Sequence, residues 1–292
     1  MKYLHILNPS QSQRKSVQKF FSMNPSEAHV WVERKQHPTH VETIVEWALE
    51  EGMKAIAVWG GDGTFNRVIQ SLAAAQALGR VKVALVAVGT ANDFARAMDL
   101  GSWRDVILEI FNGKAALRQV DLGLMEAGAQ KRIFVNNAGF GRTQEALRRK
   151  RAHLIKDILG FREARLQLEW ENNGVRKFET CRAILGMVCN APFFSKGLHF
   201  KRAVDPADGV LNAFFVPLRG RLHLFVRLLK ARLGSPLADK DTVCVNMDRL
   251  SVESDIDLYP QVDGEAVLEN GIRSLKFSLL KGALRLAVPN GI

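Results

Sequence analysis

Two apolar runs in the first half of the chain each end in a glycine-containing loop that leads into a helical pattern. The first segment is AIAVWGGDGTFN (55–66), and Val68, Ile69 and Leu72 follow it at helical spacing. The second segment is VKVALVAVGTANDFARAM (81–98). Repeated strand, loop and helix are typical of a parallel sheet, because consecutive parallel strands need a crossover connection. This repeat restricts the first half to an α/β fold.

The same alternation extends upstream, and the pattern changes near Asp121. YLHILNP and HVWVER are further strand patterns, each followed by a helical pattern. After Asp121, short apolar or alternating runs divided by turn residues are typical of an antiparallel β-domain. We therefore expect an α/β nucleotide-binding domain over 1–122 and a β-rich domain over 123–292. The last residues of the chain could return to pack on the first domain.

The loop at 60–66 has the composition of a phosphate-binding loop. Gly60 and Gly61 let the backbone turn sharply and approach a bulky group, because neither residue has a Cβ. Amides at the start of the following helix would face that group, with Thr64 or Asn66 as the helix cap. The alternative is a tight turn whose aspartate only hydrogen-bonds its own loop.

The aspartate in this loop, Asp62, would repel a phosphate directly. It becomes useful if it binds a Mg²⁺ ion that bridges phosphate oxygens, or if it accepts a proton from a nucleophile. Neither a Rossmann fingerprint nor a Walker A loop is present in the sequence. A nucleotide-binding interpretation therefore depends on this loop together with the next one.

The loop at 89–98 repeats the arrangement of glycine, small polar residues and an acid. Thr90 offers a hydroxyl group to a phosphate, and Asn92 and Asp93 could cap the helix or contact ribose or metal. Loops that follow neighbouring parallel strands converge at the carboxyl edge of the sheet. The sequence therefore predicts one site built from both loops, with Asn8–Ser12 as a third contact.

The net charge of +11 and the isoelectric point near 9.8 imply an anionic partner. Segments 142–165 and 219–234 are basic with interleaved apolar residues, as in helices that lie on anionic membranes. The alternative is a helix that packs on the core and has a solvated basic face. Nucleic acid is not an expected partner, because stacking aromatics at regular intervals and nucleic-acid-binding motifs are missing.

The apolar runs are much shorter than the roughly 20 residues that span a bilayer. No signal-peptide pattern is visible, and the three cysteines have no metal-ligand spacing. We expect a cytoplasmic protein that associates peripherally with the membrane.

Several motifs, in order, closely resemble the diacylglycerol kinase catalytic domain family, which includes bacterial soluble lipid kinases and relatives of sphingosine and ceramide kinases. They are GGDGTFN, GTANDFAR, VDLG, NNAGFG, DPADGVL and VDGE. The resemblance implies an α/β domain like that of NAD kinase and phosphofructokinase, a β-sandwich-like second domain, and an active site in the cleft between them.

The activity implied by this resemblance is Mg²⁺-dependent transfer of the γ-phosphate of ATP to the hydroxyl group of diacylglycerol or another lipid alcohol. GGDGT is shared with NAD kinases, so an NAD kinase is an alternative. A catalytically inactive membrane-associated relative is another. The sequence does not identify the lipid or the oligomeric state, and a homodimer is one option.

The resemblance also assigns roles to individual residues. Those expected to contact the nucleotide are Asn8, Gly60, Gly61, Asp62, Gly63, Thr64, Phe65, Asn66 and Thr90. Those expected to hold a structural Mg²⁺ in the second domain are Asp205, Asp208 and the main chain of Val210. Asp62 would face the Mg²⁺–phosphate centre, and Asp121 would join a water-mediated metal network. Glu265 would accept the proton of the lipid hydroxyl group, with Asp62 as the other candidate, and the sequence does not separate the two.

One further expectation and two departures from the family pattern concern less regular parts of the sequence. The basic residues Arg148–Arg151 are a candidate for docking on an anionic membrane. The first loop reads NPSQSQRK, without the glycine that relatives usually have. A nucleotide contact near Lys35 or Thr39 stays unassigned.

Overall fold

The computed structural model describes residues 3–8, 13–23, 29–33, 40–141, 162–194, 197–200 and 203–290. The chain divides into two compact units, Met1–Val120 with Gly282–Ile292, and Asp121–Lys281. Some predicted features lie outside the described residues. They are the loop positions 9–12, Lys35 and Thr39, and the basic segment over 142–161 with Arg148–Arg151.

The first unit contains a parallel sheet in which each of the first four strands is followed by a helix. Its strands are β1 (Tyr3–Leu7), β2 (His29–Glu33), β3 (Ala55–Gly60), β4 (Lys82–Ala87) and the end of β18 (Ile272–Val288). Its helices are α1 (Arg14–Met23), α2 (His40–Glu50), α3 (Asp62–Ala74), α4 (Asp93–Ala97) and α5 (Trp103–Phe111). The strand order is β2–β1–β3–β4–β18, with every neighbouring pair parallel. The predicted parallel α/β fold is confirmed.

Two neighbouring strands of this sheet, β1 and β3, are buried along their whole length. All residues of β1 and β3 are buried, as expected of parallel strands covered on both faces. The predicted helical positions Val68, Ile69 and Leu72 are completely buried on α3. Burial of these apolar side chains therefore holds the strands and α3 in place, and the two glycine loops begin where β3 and β4 end.

The second unit is largely antiparallel, as predicted. Its strands include β5 (Ala116–Ala127), β6 (Gln130–Phe134), β7 (Asn137–Phe140), β8 (Ala164–Asn172), β9 (Val175–Ala183), β10 (Leu185–Cys189), β11 (Phe193–Phe194), β12 (Leu198–His199), β13 (Leu211–Val216), β14 (Val243–Met247), β15 (Arg249–Leu258), β16 (Gln261–Val262) and β17 (Glu265–Ala266). One sheet runs β14–β13–β10–β7–β16–β17, and another contains β9–β8–β15 and the first part of β18. A shared core lies between their apolar faces, with Phe134, Phe215 and Phe277 among its members.

One helix, α6 (Arg221–Arg232), is also part of the second unit. Its Leu224 packs into a cluster that contains Phe200, Phe214 and Leu237. No helix in the described part of the chain has the length and apolar character needed to cross a membrane.

Candidate active site

The two glycine loops of the first unit lie against each other. A Cβ on Gly89 would be 2.3 Å from the Cα of Gly61, so this approach requires glycine. The amide of Val88 donates to the carbonyl oxygen of Gly60 at 3.1 Å. The prediction that the loops after β3 and β4 lie together is confirmed.

Asp62 connects the two loops through its carboxylate. Its Oδ2 accepts a hydrogen bond from the amide of Asp93 at 3.0 Å, and its Oδ1 accepts one from the amide of Phe94 at 2.9 Å. The negative charge therefore lies at the amino-terminal end of α4, where the peptide dipoles favour it. The alternative that Asp62 bonds only its own loop is wrong, because these partners are 31 and 32 residues away.

The prediction that Thr64 or Asn66 caps α3 is also wrong. The helix begins at Asp62, earlier than predicted, so its N-cap residue is Gly61. Glycine has no side chain, and no side-chain hydrogen bond caps this helix. The hydroxyl group of Thr64 instead accepts from the Nδ2 of Asn8 at 2.7 Å. This bond ties the end of β1 to the start of α3.

Asn92 shapes the second loop without capping α4 through its side chain. Its backbone is left-handed, with φ of +53°, and no side-chain cap is present at this helix. The Oδ1 of Asn92 accepts from the amide of Gly89 at 3.1 Å, and its Nδ2 donates to the carbonyl oxygen of Ala87 at 3.3 Å. The predicted capping by Asn92 or Asp93 is therefore replaced by capping from Asp62.

Most of the residues predicted to contact a nucleotide lie around the two loops of this unit, and one is part of the core beneath them. Asn8, Gly60, Gly61, Asp62 and Thr64 are connected by the bonds and contacts above, and Thr90 is exposed on the adjoining loop. Phe65 is completely buried and its ring stacks on Phe94 at a centroid distance of 5.1 Å. The side chain of Phe65 therefore supports the loops from the core instead of lining a ligand site.

Two other predicted positions occupy the beginning of α3. Gly63 would have open space around a Cβ, so its lack of a side chain is not required by packing. The Oδ1 of Asn66 accepts from the Nε2 of Gln70 at 3.5 Å, one turn further along the helix.

In the second unit, Asp121 holds the loop that contains the other predicted acids. Its amide donates to the carbonyl oxygen of Pro206 at 2.8 Å, and its Oδ2 accepts from the amide of Gly209 at 2.7 Å. Within the loop, an oxygen of Asp205 accepts from the amide of Ala207 at 3.0 Å. An oxygen of Asp208 accepts from the amide of Val210 at 2.9 Å.

The electrostatics of this loop suit a cation. Partial burial raises the pKa of Asp208, and the charges of Asp205 and Asp121 raise it further, although the amide of Val210 has the opposite effect. A bound divalent cation would relieve this concentration of negative charge. No three His, Cys, Asp or Glu residues in the described ranges are arranged to hold a metal. The negative charge of this loop therefore fits a divalent cation such as Mg²⁺, while the residues that the structure describes do not assemble a complete set of carboxylate ligands.

Glu265 lies directly after a two-residue hairpin turn between β16 and β17. Asp263 and Gly264 in the turn have φ of +45° and +87°. Positive φ at both central positions is the type I′ geometry that Asp-Gly favours. The turn lies at the surface, and Glu265 is exposed on it.

Asp263 clamps this turn to the strand junction before β7. Its carboxylate accepts from the amides of Val135 at 2.9 Å, Asn136 at 3.0 Å and Asn137 at 2.8 Å. The role of Asp263 was not predicted from the sequence. The signal in the sequence was the Asp-Gly pair directly before the predicted catalytic glutamate, because this pair favours a two-residue hairpin turn.

Asn190 makes a second connection that was not predicted. It is completely buried, and its Nδ2 donates to the carbonyl oxygens of Asp121 at 2.8 Å and Val135 at 2.9 Å. Asp263 and Asn190 thus join the strand junction before β7 to the Glu265 turn and to Asp121.

Replacing Asp263 with alanine is expected to destabilise the second unit by about 3 kcal/mol or more, because three backbone amides lose a charged acceptor. Asp263→Asn keeps the shape and tolerates positive φ, so it should cost about half as much. Chemical denaturation would measure both effects. Asp257→Asn, at an exposed ion pair, is the control and should change stability by less than about 0.5 kcal/mol. Equal stability of all three variants would contradict the clamp.

Comparison with known proteins covers nearly the whole chain. The family model for the diacylglycerol kinase catalytic domain matches residues 2–125. The model described as the YegS C-terminal NAD kinase beta sandwich-like domain matches residues 125–288. The predicted combination of an α/β domain with a β-sandwich-like domain is confirmed.

Individual relatives agree with these matches. A protein of Pseudomonas aeruginosa (strain UCBPP-PA14) named probable lipid kinase YegS-like is 30% identical over 268 residues, which cover 85% of this chain and 81% of the relative. A diacylglycerol kinase of Staphylococcus carnosus (strain TM300) is 37% identical over 102 residues, or 34% of this chain and 30% of that protein. The crystal structure of a putative diacylglycerol kinase from Bacillus anthracis str. Sterne has a TM-score of 0.74 at 19% identity, covering 100% of this chain and 98% of that one. At that identity, the structural match supports the fold alone.

Proposed function

The chain belongs to the diacylglycerol kinase catalytic domain family, with a C-terminal domain of the YegS type, and on this premise we propose that it transfers the γ-phosphate of ATP to the hydroxyl group of a diacylglycerol-like or other lipid alcohol. The observation that carries the proposal is the junction of the two glycine loops, with the Asp62 carboxylate on the amides of Asp93 and Phe94. Glycine loops and helix amides fixed in this way suit a phosphate chain.

The loop residues would act by positioning. Phosphoryl transfer requires alignment and charge neutralisation more than covalent help from the protein. In our proposal, amides at the start of α3 and the hydroxyl group of Thr90 bind phosphate oxygens. Asn8, held by its bond to Thr64, would contact the nucleotide beside the same loop.

We assign proton acceptance from the lipid hydroxyl group to Glu265. Both carboxylate oxygens of Asp62 already accept hydrogen bonds from backbone amides at the start of α4. Its negative charge is therefore engaged there and is less suited to accept a proton from the lipid. Glu265 is an exposed carboxylate on a turn that three hydrogen bonds to Asp263 hold in place. A carboxylate placed beside the attacking oxygen can take its proton as the new bond forms.

Mg²⁺ would be held by Asp205, Asp208 and the main chain of Val210, with Asp121 connected through water. When bound, the ion supplies neutralisation of negative charge. The raised pKa of Asp208, caused by partial burial and by neighbouring acids, supports a cation at this loop. Asp121 would keep the loop in position through its bond to Gly209.

We place the protein in the cytoplasm, at the surface of an anionic membrane where a lipid substrate lies. The net charge of +11 favours such a surface. A nucleic-acid partner is not part of the proposal, and a homodimer stays a prediction.

Incubation with labelled ATP and mixed micelles is expected to yield a labelled lipid when the micelles contain the correct lipid alcohol. The panel would contain diacylglycerol, phosphatidylglycerol and a sphingoid base, with NAD in parallel reactions. Asp62→Asn should lower the rate at least tenfold, because an amide cannot accept both backbone protons and the loops lose their alignment. Labelling of NAD instead of any lipid would replace this proposal with an NAD kinase. Failure to bind ATP would support the other alternative, in which the protein is a catalytically inactive, membrane-associated relative of these kinases.

A further inference from the structure

Helix α6 has apolar side chains on two opposite faces. Leu224 and Ala231 on one face are buried in the second unit. The other face exposes a row of large apolar residues, which we call the exposed stripe: Leu222 (76% exposed), Val226 (41%), Leu229 (41%) and Leu233 (87%). Single exposed leucines are ordinary, but four residues at spacings of four, three and four form one continuous surface along a helix. Such a surface indicates a partner.

Basic residues border the exposed stripe on both sides. At 100° per residue, His223 and Lys230 lie along one edge, and Arg221 and Arg232 lie along the other. The sequence contains no aspartate or glutamate from 219 to 238. An apolar row between basic edges is the arrangement of helices that lie in the interface of anionic membranes.

A buried arginine fixes which face of α6 is exposed. The Nε of Arg227 donates to the carbonyl oxygen of Leu237 at 2.6 Å, and its Nη2 donates to the hydroxyl group of Thr242, also at 2.6 Å. Its Nη1 lies 3.0 Å from an oxygen of Asp239. These bonds anchor the helix to the following loop, so the stripe cannot rotate into the core without breaking them.

The nearby acids contact only part of the edges of the stripe. Asp239 contacts the buried Arg227 and lies 3.7 Å from the edge residue His223, and Asp241 pairs with Arg219, which precedes the helix. Lys230 and Arg232 are exposed in the last turn of α6. The charges of Lys230 and Arg232 therefore lie at the surface beside the stripe, where an anionic bilayer can reach them.

We propose that α6 docks the protein on an anionic lipid bilayer. The exposed stripe enters the boundary between headgroups and acyl chains, and the flanking basic side chains reach lipid phosphates. The inference deepens the proposed function and rests on it for the choice of a bilayer. A second copy of the chain fits less well, because a symmetric contact between two α6 helices would bring basic edges together.

Vesicle sedimentation without ATP or substrate tests this proposal. The probe is vesicles of phosphatidylglycerol and phosphatidylcholine in equal parts, compared with phosphatidylcholine alone. The stripe variant is Leu222→Gln/Val226→Gln/Leu229→Gln, because glutamine retains helix propensity. The matched control is Val175→Gln/Phe178→Gln, which removes apolar residues that are 57% and 71% exposed on β9.

The parent and the β9 control should bind the anionic vesicles, and the stripe variant should bind at least about tenfold more weakly. Lys230→Gln/Arg232→Gln should weaken binding by about fivefold per charge and reduce its salt dependence. Thermal unfolding checks that every variant is folded. Unchanged binding of the stripe variant would overturn the proposal, as would a parent dimer that the stripe variant separates into monomers.

The readout is independent of phosphoryl transfer. Vesicle binding with no lipid kinase activity would contradict the proposed function but leave the docking face intact. Kinase activity on a micellar lipid without vesicle binding would leave the proposed function intact but contradict the docking face. The stripe variant should retain the parent's rate on a water-soluble short-chain lipid alcohol.

Discussion

Gly89→Ala is expected to destabilise the first unit by about 3 kcal/mol or more and to abolish ATP binding. The new methyl group would lie 2.3 Å from the Cα of Gly61 and 2.7 Å from its amide nitrogen. Because these are backbone atoms, no side-chain rotation can relieve the overlap, and the two loops must separate. Chemical denaturation and calorimetric titration with ATP would measure the two effects.

Gly63→Ala is the matched control for the stability measurement. Gly63 is in the first turn of α3, and no atom lies within 4 Å of the position its Cβ would take. Alanine is favoured over glycine in helices, so stability should stay equal or rise by up to about 1 kcal/mol. If the two alanine variants behaved alike, the close approach of the loops would not be what the fold requires.

Glu265→Gln is expected to lower kcat for lipid phosphorylation by about 10² to 10⁴ fold, with little change in the KM for ATP. Glutamine has nearly the same shape but cannot accept the proton of the lipid hydroxyl group. Glu265 is exposed, so the substitution should not alter the free energy of unfolding. Steady-state kinetics with the best lipid of the panel would measure both constants.

Glu269→Gln provides the control, since it removes a charge from an exposed glutamate close in sequence. Its activity should stay within about twofold of the parent. A fully active Glu265→Gln protein would contradict the assignment of the proton acceptor to Glu265 and leave Asp62 as the other candidate.

The fold was predictable because its signals are local in sequence. Apolar strands such as 55–58 and helical spacing at 68–72 reflect burial on a regular element, and regular elements repeat with a fixed period. The glycine loops were located for the same reason. Their adjacency followed from the rule that parallel strands end at one edge of the sheet.

The contacts within the site were less predictable because they join distant residues. The partners of Asp62 are more than thirty positions away, and those of Asp263 are 126 to 128 positions away. No periodic pattern encodes bonds between a side chain and remote backbone amides. The errors in capping at α3 and α4 arose here, since Asp62 supplied the cap of a helix to which it does not belong.

The segment at 219–234 shows how the two predicted alternatives can both apply. Its sequence was compatible with a membrane helix or with a core-facing helix. Leu224 is buried as in the second alternative, while Leu222 is exposed as the first requires. Only tertiary packing distinguishes the two faces, because leucine occurs on both.

The link from Asp62 to the next loop also has a consequence for ligand affinity. Ordering a flexible segment on binding costs conformational entropy, which weakens the complex. For the proposed nucleotide, part of that cost would be met when the chain folds, because the bonds of Asp62 already join the two loops. Tight binding and fast association should therefore depend on how stable the empty protein is, and mild denaturant should weaken nucleotide affinity before it unfolds the sheet.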